Sequence, residues 1–584
     1  MSHILPATVF DELLSGAGNA DAVDSLRAGE RSWRLLAIRA VLDAAAAAAP
    51  TGPLPPPSDA WRLLVRAAAA DAAAAEQVLA YPSTGTWAAH TLRRLRGSTA
   101  DDVPLWVHTG HLHALAASAA ILAGLDFRTQ VPVWHGWAVL PRLGAMQLDP
   151  GSTASHIAQA HHDSAEWSTA EVCTEAKGPV TVAGRPVSGP GWHSLTELAA
   201  DGCTLVLDDL DPYRTLRTPL APEPWRDVDD WRELFAGAWD VLRETDLEEA
   251  QAIGRGLAVV VPRPRAEQYR PHSASSGDAF GAALTSVPDD AEQFASTLVH
   301  EFQHNKLSAF MHLFDLHEDT GEQRHYAPWR DDPRPLGGLL QGVYAFHGVT
   351  RFWRRREHPL ARFEFALWRA QTAHALNSIA HSPQLTSVGR RLVAELTATL
   401  QPWLTEPVDA RPLAAAELAA ADHRATWRAY HLRPDPGTVQ AHAEALAHEA
   451  PPPRDTPASI LVPGHPERGL DTRAVLLRHL LTTPENVHRF DKDPEALAEG
   501  ARFEDVALVT GRTDEALDAF RSRITRSGGD PESWTGLALA ARATGDPAGE
   551  TLLAAPELAM ALYPQWHRDP LELGRALARK AAAQ

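Results

Sequence analysis

Along most of this chain apolar residues return every three or four positions, the spacing that gathers them on one face of an α-helix. Leu26, Trp33, Leu36, Ile38, Val41 and Leu42 predict a helix over 25–49, stopped by Pro50. The stretch 50–57 is mostly proline and predicts a stiff connector. Ser58-Asp59 opens a second helix to about Leu79, and a third runs from His111 to Gly124. After Leu125 the period shortens. The runs 127–134, 137–140 and 180–187 are β-branched and punctuated by Gly and Pro, which predicts a meander of strands. Thr204–Leu207 predicts a further strand, leading into an acidic turn at Asp208, Asp209 and Asp211 before Pro212. Helical spacing returns over 227–248, with Trp231, Leu234, Phe235, Trp239 and Leu242 inward. Two short strands follow, 256–262 and 279–288.

Next comes a helix that is apolar on several sides. Leu298, Val299, Phe302, Leu307, Phe310, Leu313 and Phe314 predict that protein encloses it, and Asp289 with Glu292 three residues on marks its start. The small-residued strand before it is expected to form a rim along which an extended peptide can pair. A loop rich in Pro and charge, 326–335, precedes a second helix over 336–353, on which Gln341, Tyr344 and His347 share a face. Alanine-rich helix resumes over 409–450, broken at 434–437, and a proline linker follows at 451–457. Val509-Thr510-Gly511 and Ala543-Thr544-Gly545 are 34 positions apart, the tetratricopeptide period. These elements predict a predominantly helical α+β chain in four parts. They are a helical region 1–126, a β-rich region 127–260, a metal-binding catalytic domain 261–450 and a tetratricopeptide-like helical region 451–584.

The chemistry is concentrated in Val299-His300-Glu301-Phe302-Gln303-His304. Two imidazoles four residues apart stand one turn above each other on a helix, where they can share a divalent ion. Cys173 and Cys203 are the only cysteines, so any metal is held mainly by nitrogen and oxygen. His108, His111 and His113 do not line one face, and His161-His162 stands in a polar stretch, so these histidines read as structural. A net charge of −20 argues against nucleic acid or an anionic membrane as partner. The opening residues have no basic, then apolar, leader pattern, and no apolar run is long enough for a membrane span, which reads as cytoplasmic.

Taken together, Thr297–Ala309 around the histidine pair and Tyr326–Ala345 resemble the HExxH-containing peptide-modification family, encoded beside ribosomally made natural-product peptides. The opening Val9–Leu13, the stretch Gly110–Ala116 and Leu207–Arg214 fit as well, so the resemblance covers about the first 430 residues. It implies an iron(II)- and 2-oxoglutarate-dependent oxygenase that hydroxylates the β-carbon of a residue in a precursor peptide, with His300 and His304 as ligands. Where many members read Tyr-Ala-His, this chain has Tyr344-Ala345-Phe346 and its histidine at 347. A third ligand is therefore sought first at Gln341, then His347, then Glu301, while Tyr344, which shares the face of Gln341 and His347 on the second helix, is taken with Glu301 as a catalytic candidate. Arg330 leads the candidates for pairing with the far carboxylate of 2-oxoglutarate, ahead of Arg334 and Arg351, because a guanidinium fork matches a carboxylate. Lys306 lies nearly opposite His304 on the helix.

Two other readings stand beside this one. In a zinc peptidase the same histidines hold zinc and Glu301 takes the proton from a metal-bound water. In a non-catalytic adaptor the metal is structural and the C-terminal repeats bind partners.

Overall fold

The computed structural model describes residues 5–48, 52–148, 167–175, 177–215, 218–318, 321, 324–453, 457–484, 490, 492–566 and 568–579. It has the mixed, helix-rich α+β character that the sequence predicts. His161-His162 and residues 454–456 of the second linker lie outside the described residues. Two compact units divide the chain, residues 1–266 with 271–315, and residues 267–270 with 316–584. Both the first seam expected, at 126/127, and the next, at 260/261, fall inside the first unit. The expected catalytic span 261–450 is shared between the two units.

In the first unit the helices are α1 (Ala7–Leu14), α2 (Ala20–Ala48), α3 (Pro57–Ala70), α4 (Ala72–Leu79), α5 (Pro82–Leu95) and α6 (Leu105–Leu122). The meander follows as β1 (Phe127–Trp134), β2 (Trp137–Leu140) and β3 (Gly144–Gln147), then β4 (Trp167–Thr174), β5 (Thr181–Val182), β6 (Arg185–Pro186) and β7 (Trp192–Ser194). These form one antiparallel sheet in the order β6-β5-β4-β1-β2-β3-β7. Its core joins Trp87, Leu112, Leu115, Val131, Trp134 and Tyr213, all buried, so the alanine-rich helices cover the sheet.

A second sheet reaches across residue 260. Strands β8 (Thr196–Ala200), β9 (Cys203–Leu207), β10 (Val259–Arg263), β11 (Ser273–Ala274) and β12 (Ala282–Ser286) take the order β11-β12-β10-β9-β8. β9, β10 and β12 are parallel and the two outer strands antiparallel. Helices α7 (Val228–Thr245) and α8 (Leu247–Gly256) make the crossover between β9 and β10, and α9 (Ala291–Met311) follows β12. The single helix expected over 227–248 breaks at Asp246, whose side chain caps α8 by accepting from Glu249 N–H.

β12 lies inside the sheet. Its residues pair with β10 on one side and with Ser273 and Ala274 of β11 on the other. The expectation that this strand forms a free rim is thereby corrected, and the edge position belongs to β11. The small residues of β12 serve close packing, since all five are buried.

The turn at 208–214 is built from its own carboxylates. Asp208 Oδ1 accepts from Leu210 N–H and Asp211 N–H, and Asp211 Oδ1 accepts from Tyr213 N–H. Tyr81 and Ser83 donate their hydroxyls to Asp208 and Asp211, each at 2.8 Å. Burial, reinforced by the charge of Asp208, pushes the Asp211 carboxyl up to about 7. Folding therefore retains a proton that the unfolded chain releases near its ordinary value of 3.8. This stabilisation is complete below about pH 4 and is lost as pH rises through about 7. The thermal midpoint is expected to fall between about pH 4 and 7 and to level off above, and Asp211→Asn should flatten that slope in a melting series across pH.

The second unit is nearly all helix. It comprises α10 (Leu336–Arg354), α11 (Pro359–Ile379), α12 (Ser387–Leu400), α13 (Ala410–His431), α14 (Pro436–Ala447) and α15 (Thr472–Thr482). After these come α16 (Phe503–Val509), α17 (Thr513–Ser527), α18 (Pro531–Ala543), α19 (Ala548–Ala554), α20 (Pro556–Trp566) and α21 (Pro570–Leu577). The 34-residue echo has a structural basis. Gly511 turns α16 into α17 and Gly545 turns α18 into α19, both at left-handed φ, +80° and +76°, where a side chain is strained.

Candidate metal centre

α9 starts one residue later than its acidic signal suggests. Asp290 caps it, accepting from Gln293 N–H at 2.8 Å, and the Gln293 side chain returns the bond to Asp289 N–H. The helix is enclosed on most sides, with Phe294, Leu298, Val299, Phe302, Leu307 and Phe310 buried. Three polar side chains fasten it to its surroundings. Asn305 accepts from Gly281 N–H and donates to Ala282 O, tying α9 to the start of β12. Gln303 donates to Gly16 O, and Lys306 donates to Ala17 O with its ammonium over the Phe302 ring. These two hold α9 to the turn between α1 and α2. Lys306 is thus an anchor pointing away from the histidines, as its helical position predicts. The anchoring roles of Gln303 and Asn305 were missed; the signal is a polar residue on a buried helix, which must find a partner.

His300 and His304 occupy the half-buried face of α9. Their Nε2 atoms are 3.1 Å apart and their rings stand edge to face. An ion about 2.1 Å from each nitrogen would be held at an N–metal–N angle of about 95°, within the range of octahedral and distorted tetrahedral centres. Desolvation and the neighbouring His304 hold His300 well below the ordinary histidine pKa. The neutral imidazole, the form that ligates, is therefore favoured.

Glu301 adds to the pair. Helical geometry alone sends its side chain about 100° away, yet Oε1 lies 3.9 Å from His300 Nε2. The residue is fully buried, and neither carboxylate oxygen makes a hydrogen bond of ordinary geometry among the described residues. Burial keeps its pKa above the usual carboxylate range, against the pull of His304 and the nearby Ser273 and Ser275 hydroxyls. Two imidazole nitrogens 3.1 Å apart with a buried carboxyl beside them form a donor set that suits a divalent cation. Within this unit no third His, Cys, Asp or Glu among the described residues joins both histidines in a group with ligand atoms within 4.8 Å of one another.

The remaining sequence candidates belong to the second unit. Gln341, Tyr344 and His347 lie on α10, Gln341 half-buried and the other two buried, with the His347 ring tilted against Trp403, centroids 5.0 Å apart. Arg330 is half-exposed and its Nε is 3.0 Å from Asp332, which also takes Arg334. Both guanidinium groups thus have a carboxylate already.

A second cluster went unrecognised. His90 and His108 bring Nε2 atoms to opposite oxygens of Asp101, at 2.7 and 3.1 Å, and Arg94 approaches the same carboxylate at 3.2 Å. Among the described residues this is the one three-ligand group by that spacing. Its distances are those of hydrogen bonds, and His108 Nδ1 meets Tyr213 Oη at 2.8 Å, so every polar atom named here has a protein partner. Burial would raise the Asp101 carboxyl, but the bonds from His108 and His90 with the charge of Arg94 bring it down to about 2. His113 bonds Thr129 and Pro55 O, while burial pushes His111, packed on Tyr213 and Trp87, down to about 3. This cluster joins α5 to α6 and the 208–214 turn. It was hidden because its residues come from separate stretches of sequence.

No protein-family profile matches the chain, and no curated protein is significantly similar to it.

Proposed function

We propose that this chain is an iron(II)- and 2-oxoglutarate-dependent oxygenase that hydroxylates the β-carbon of a residue in a ribosomally made precursor peptide. The observation that carries the metal is the 3.1 Å approach of two half-buried imidazole nitrogens on a helix otherwise enclosed by protein. The choice of iron and keto acid rests on the resemblance of the segments around His300 and Gln341 to the HExxH peptide-modification family.

Iron with the keto acid and dioxygen supplies the oxidising power that replaces a C–H bond by C–OH. His300 and His304 approach from one side only, which leaves coordination positions for co-substrates. Asn305, Gln303 and Lys306 fix the helix, and so the imidazoles, from behind. Glu301, biased toward its protonated form, is placed to donate a hydrogen bond toward the ion's side of His300. No helix among the described residues is long and apolar enough to cross a membrane. The α16–α19 pairs are read as tetratricopeptide-like repeats that serve protein contacts.

A zinc peptidase is the second reading, favoured by one observation: a carboxyl 3.9 Å from a metal-binding nitrogen is where a general base would stand. The two separate in one assay. Protein prepared without oxygen is given ferrous iron, 2-oxoglutarate and a candidate precursor peptide, then air, and the peptide is weighed by mass spectrometry. A gain of one oxygen dependent on the keto acid is expected. Zinc-dependent cleavage without keto acid overturns the oxygenase. Glu301→Gln keeps a hydrogen-bonding side chain, so hydroxylation should fall by no more than about tenfold, whereas loss of its base would cost a peptidase roughly 10²-fold or more.

A further inference from the structure

A groove of about 770 Å³ lies in the first unit between α3 and the first half of β1. β1 pairs with β4 along its whole length, from Phe127 opposite Thr174 to Trp134 opposite Trp167. It pairs with β2 only at Val133 and Trp134. In an antiparallel strand alternate residues send N–H and C=O to opposite sides. Over residues 127–131, then, the groups directed away from β4 meet no strand among the described residues, and Pro132 beyond them has no N–H to offer. Such an edge is a template for an added strand.

The opposite wall is one face of α3. Arg62 and Arg66, a helical turn apart, are both exposed, and Trp61, Leu63 and Phe127 supply the apolar lining. Among the described residues Arg62 is paired with Asp59 on its own helix, and Arg66 reaches Asp126 O at 3.4 Å. Exposed pairs of this kind are weak and readily exchanged. The third arginine, Arg128, is committed to Glu171 across the sheet. A strand edge facing two loosely held guanidinium groups suits an extended backbone that carries carboxylates. The unpaired stretch of β1 spans roughly 17 Å, enough for about five residues of such a strand.

We propose that this groove binds an acidic, extended peptide segment, which adds to β1 through its backbone and sets carboxylates against Arg62 and Arg66. Its biological sense, a handle on the peptide substrate, rests on the oxygenase reading, but its lining shares no residue with the His300 and His304 centre. Binding is therefore measurable on metal-free full-length protein. The probe is a fluorescein-labelled peptide alternating glutamate and valine, followed by fluorescence anisotropy, beside a lysine–valine counterpart and a glutamate–valine peptide N-methylated at alternate residues. The acidic peptide should bind, and the lysine peptide should not. Arg62→Glu with Arg66→Glu should weaken binding about tenfold or more, as loss of charge-assisted bonds predicts, and N-methylation should do the same. Both arginines are exposed, so the variant should keep the parent's circular dichroism. The proposal is overturned if the acidic peptide does not bind, if the lysine peptide binds as well, or if the double substitution leaves affinity unchanged. Failure of hydroxylation alone leaves these results intact and counts against the oxygenase.

Discussion

On the oxygenase reading, His300→Ala is expected to abolish iron binding and activity together while leaving the metal-free protein folded. The side chain is 21% exposed, with His304 Nε2 at 3.1 Å and the Glu301 carboxyl at 3.9 Å beside it. Removing it relieves the desolvation that depresses its pKa and gives up its bond with His304. The ion, by contrast, loses one of the two nitrogen ligands on α9, and bound metal should drop from about one equivalent to under about a tenth. Metal analysis after gel filtration, with thermal melts in the presence and absence of ferrous iron, checks this. The parent should gain several degrees with iron and the variant none. Equal metal in both proteins would mean that the two imidazoles share only a hydrogen bond. His304→Ala should behave alike, and Lys306→Met should not: it loses the tie to Ala17 O and lowers stability, but leaves both ligands in place.

Those contrasts show which part of the centre was legible. A spacing of four residues on a helix is a local property, so His300, His304 and the enclosing apolar positions could be read directly. Residues 297–311 needed no long-range information. The helix start slipped by one residue because Asp289 and Asp290 are adjacent acids, and the cap goes to whichever reaches a free N–H, here that of Gln293. The fate of β12 was not legible: whether a strand lies at an edge depends on a partner as short as Ser273-Ala274. Nor was the contact between Glu301 and His300, which depends on side-chain geometry that a helical wheel ignores. The point expected as a seam, 260/261, falls inside one unit for a related reason. β9 and β10 belong to one sheet, and composition changes along a chain do not show which strands pair across it.

The largest change in stability is expected in the second unit, from Arg473→Met. This arginine is 1% exposed and binds four elements at once. Its guanidinium donates to Asp505 Oδ1 at 2.7 Å, to Asp422, to Thr535 Oγ1 at 3.3 Å and to Glu532 O at 2.7 Å. It also lies over the Phe520 ring. Sequence offers no hint of this, since residues 422, 473, 505 and 532 stand on α13, α15, α16 and α18. Burial would raise Asp505, but Arg473 and Arg468 hold it well below the usual carboxylate range. Burial wins at Asp422, which stays raised even with Arg473 beside it. Methionine fills much of the space but supplies no charge. Asp422 would then take up a proton, while Asp505 would keep only Arg468 and the Arg502 N–H. Breaking such a buried network by removing one member costs about 3–5 kcal/mol. Hydrogen exchange in α13, α15, α16 and α18 should accelerate roughly 10²–10³-fold, with exchange in α9 unchanged. Arg473→Lys should recover only part of the loss, because an ammonium cannot match the fork that reaches several acceptors in one plane. If the methionine variant exchanges at the parent rate, the carboxylates are held by their other partners and the arginine is dispensable.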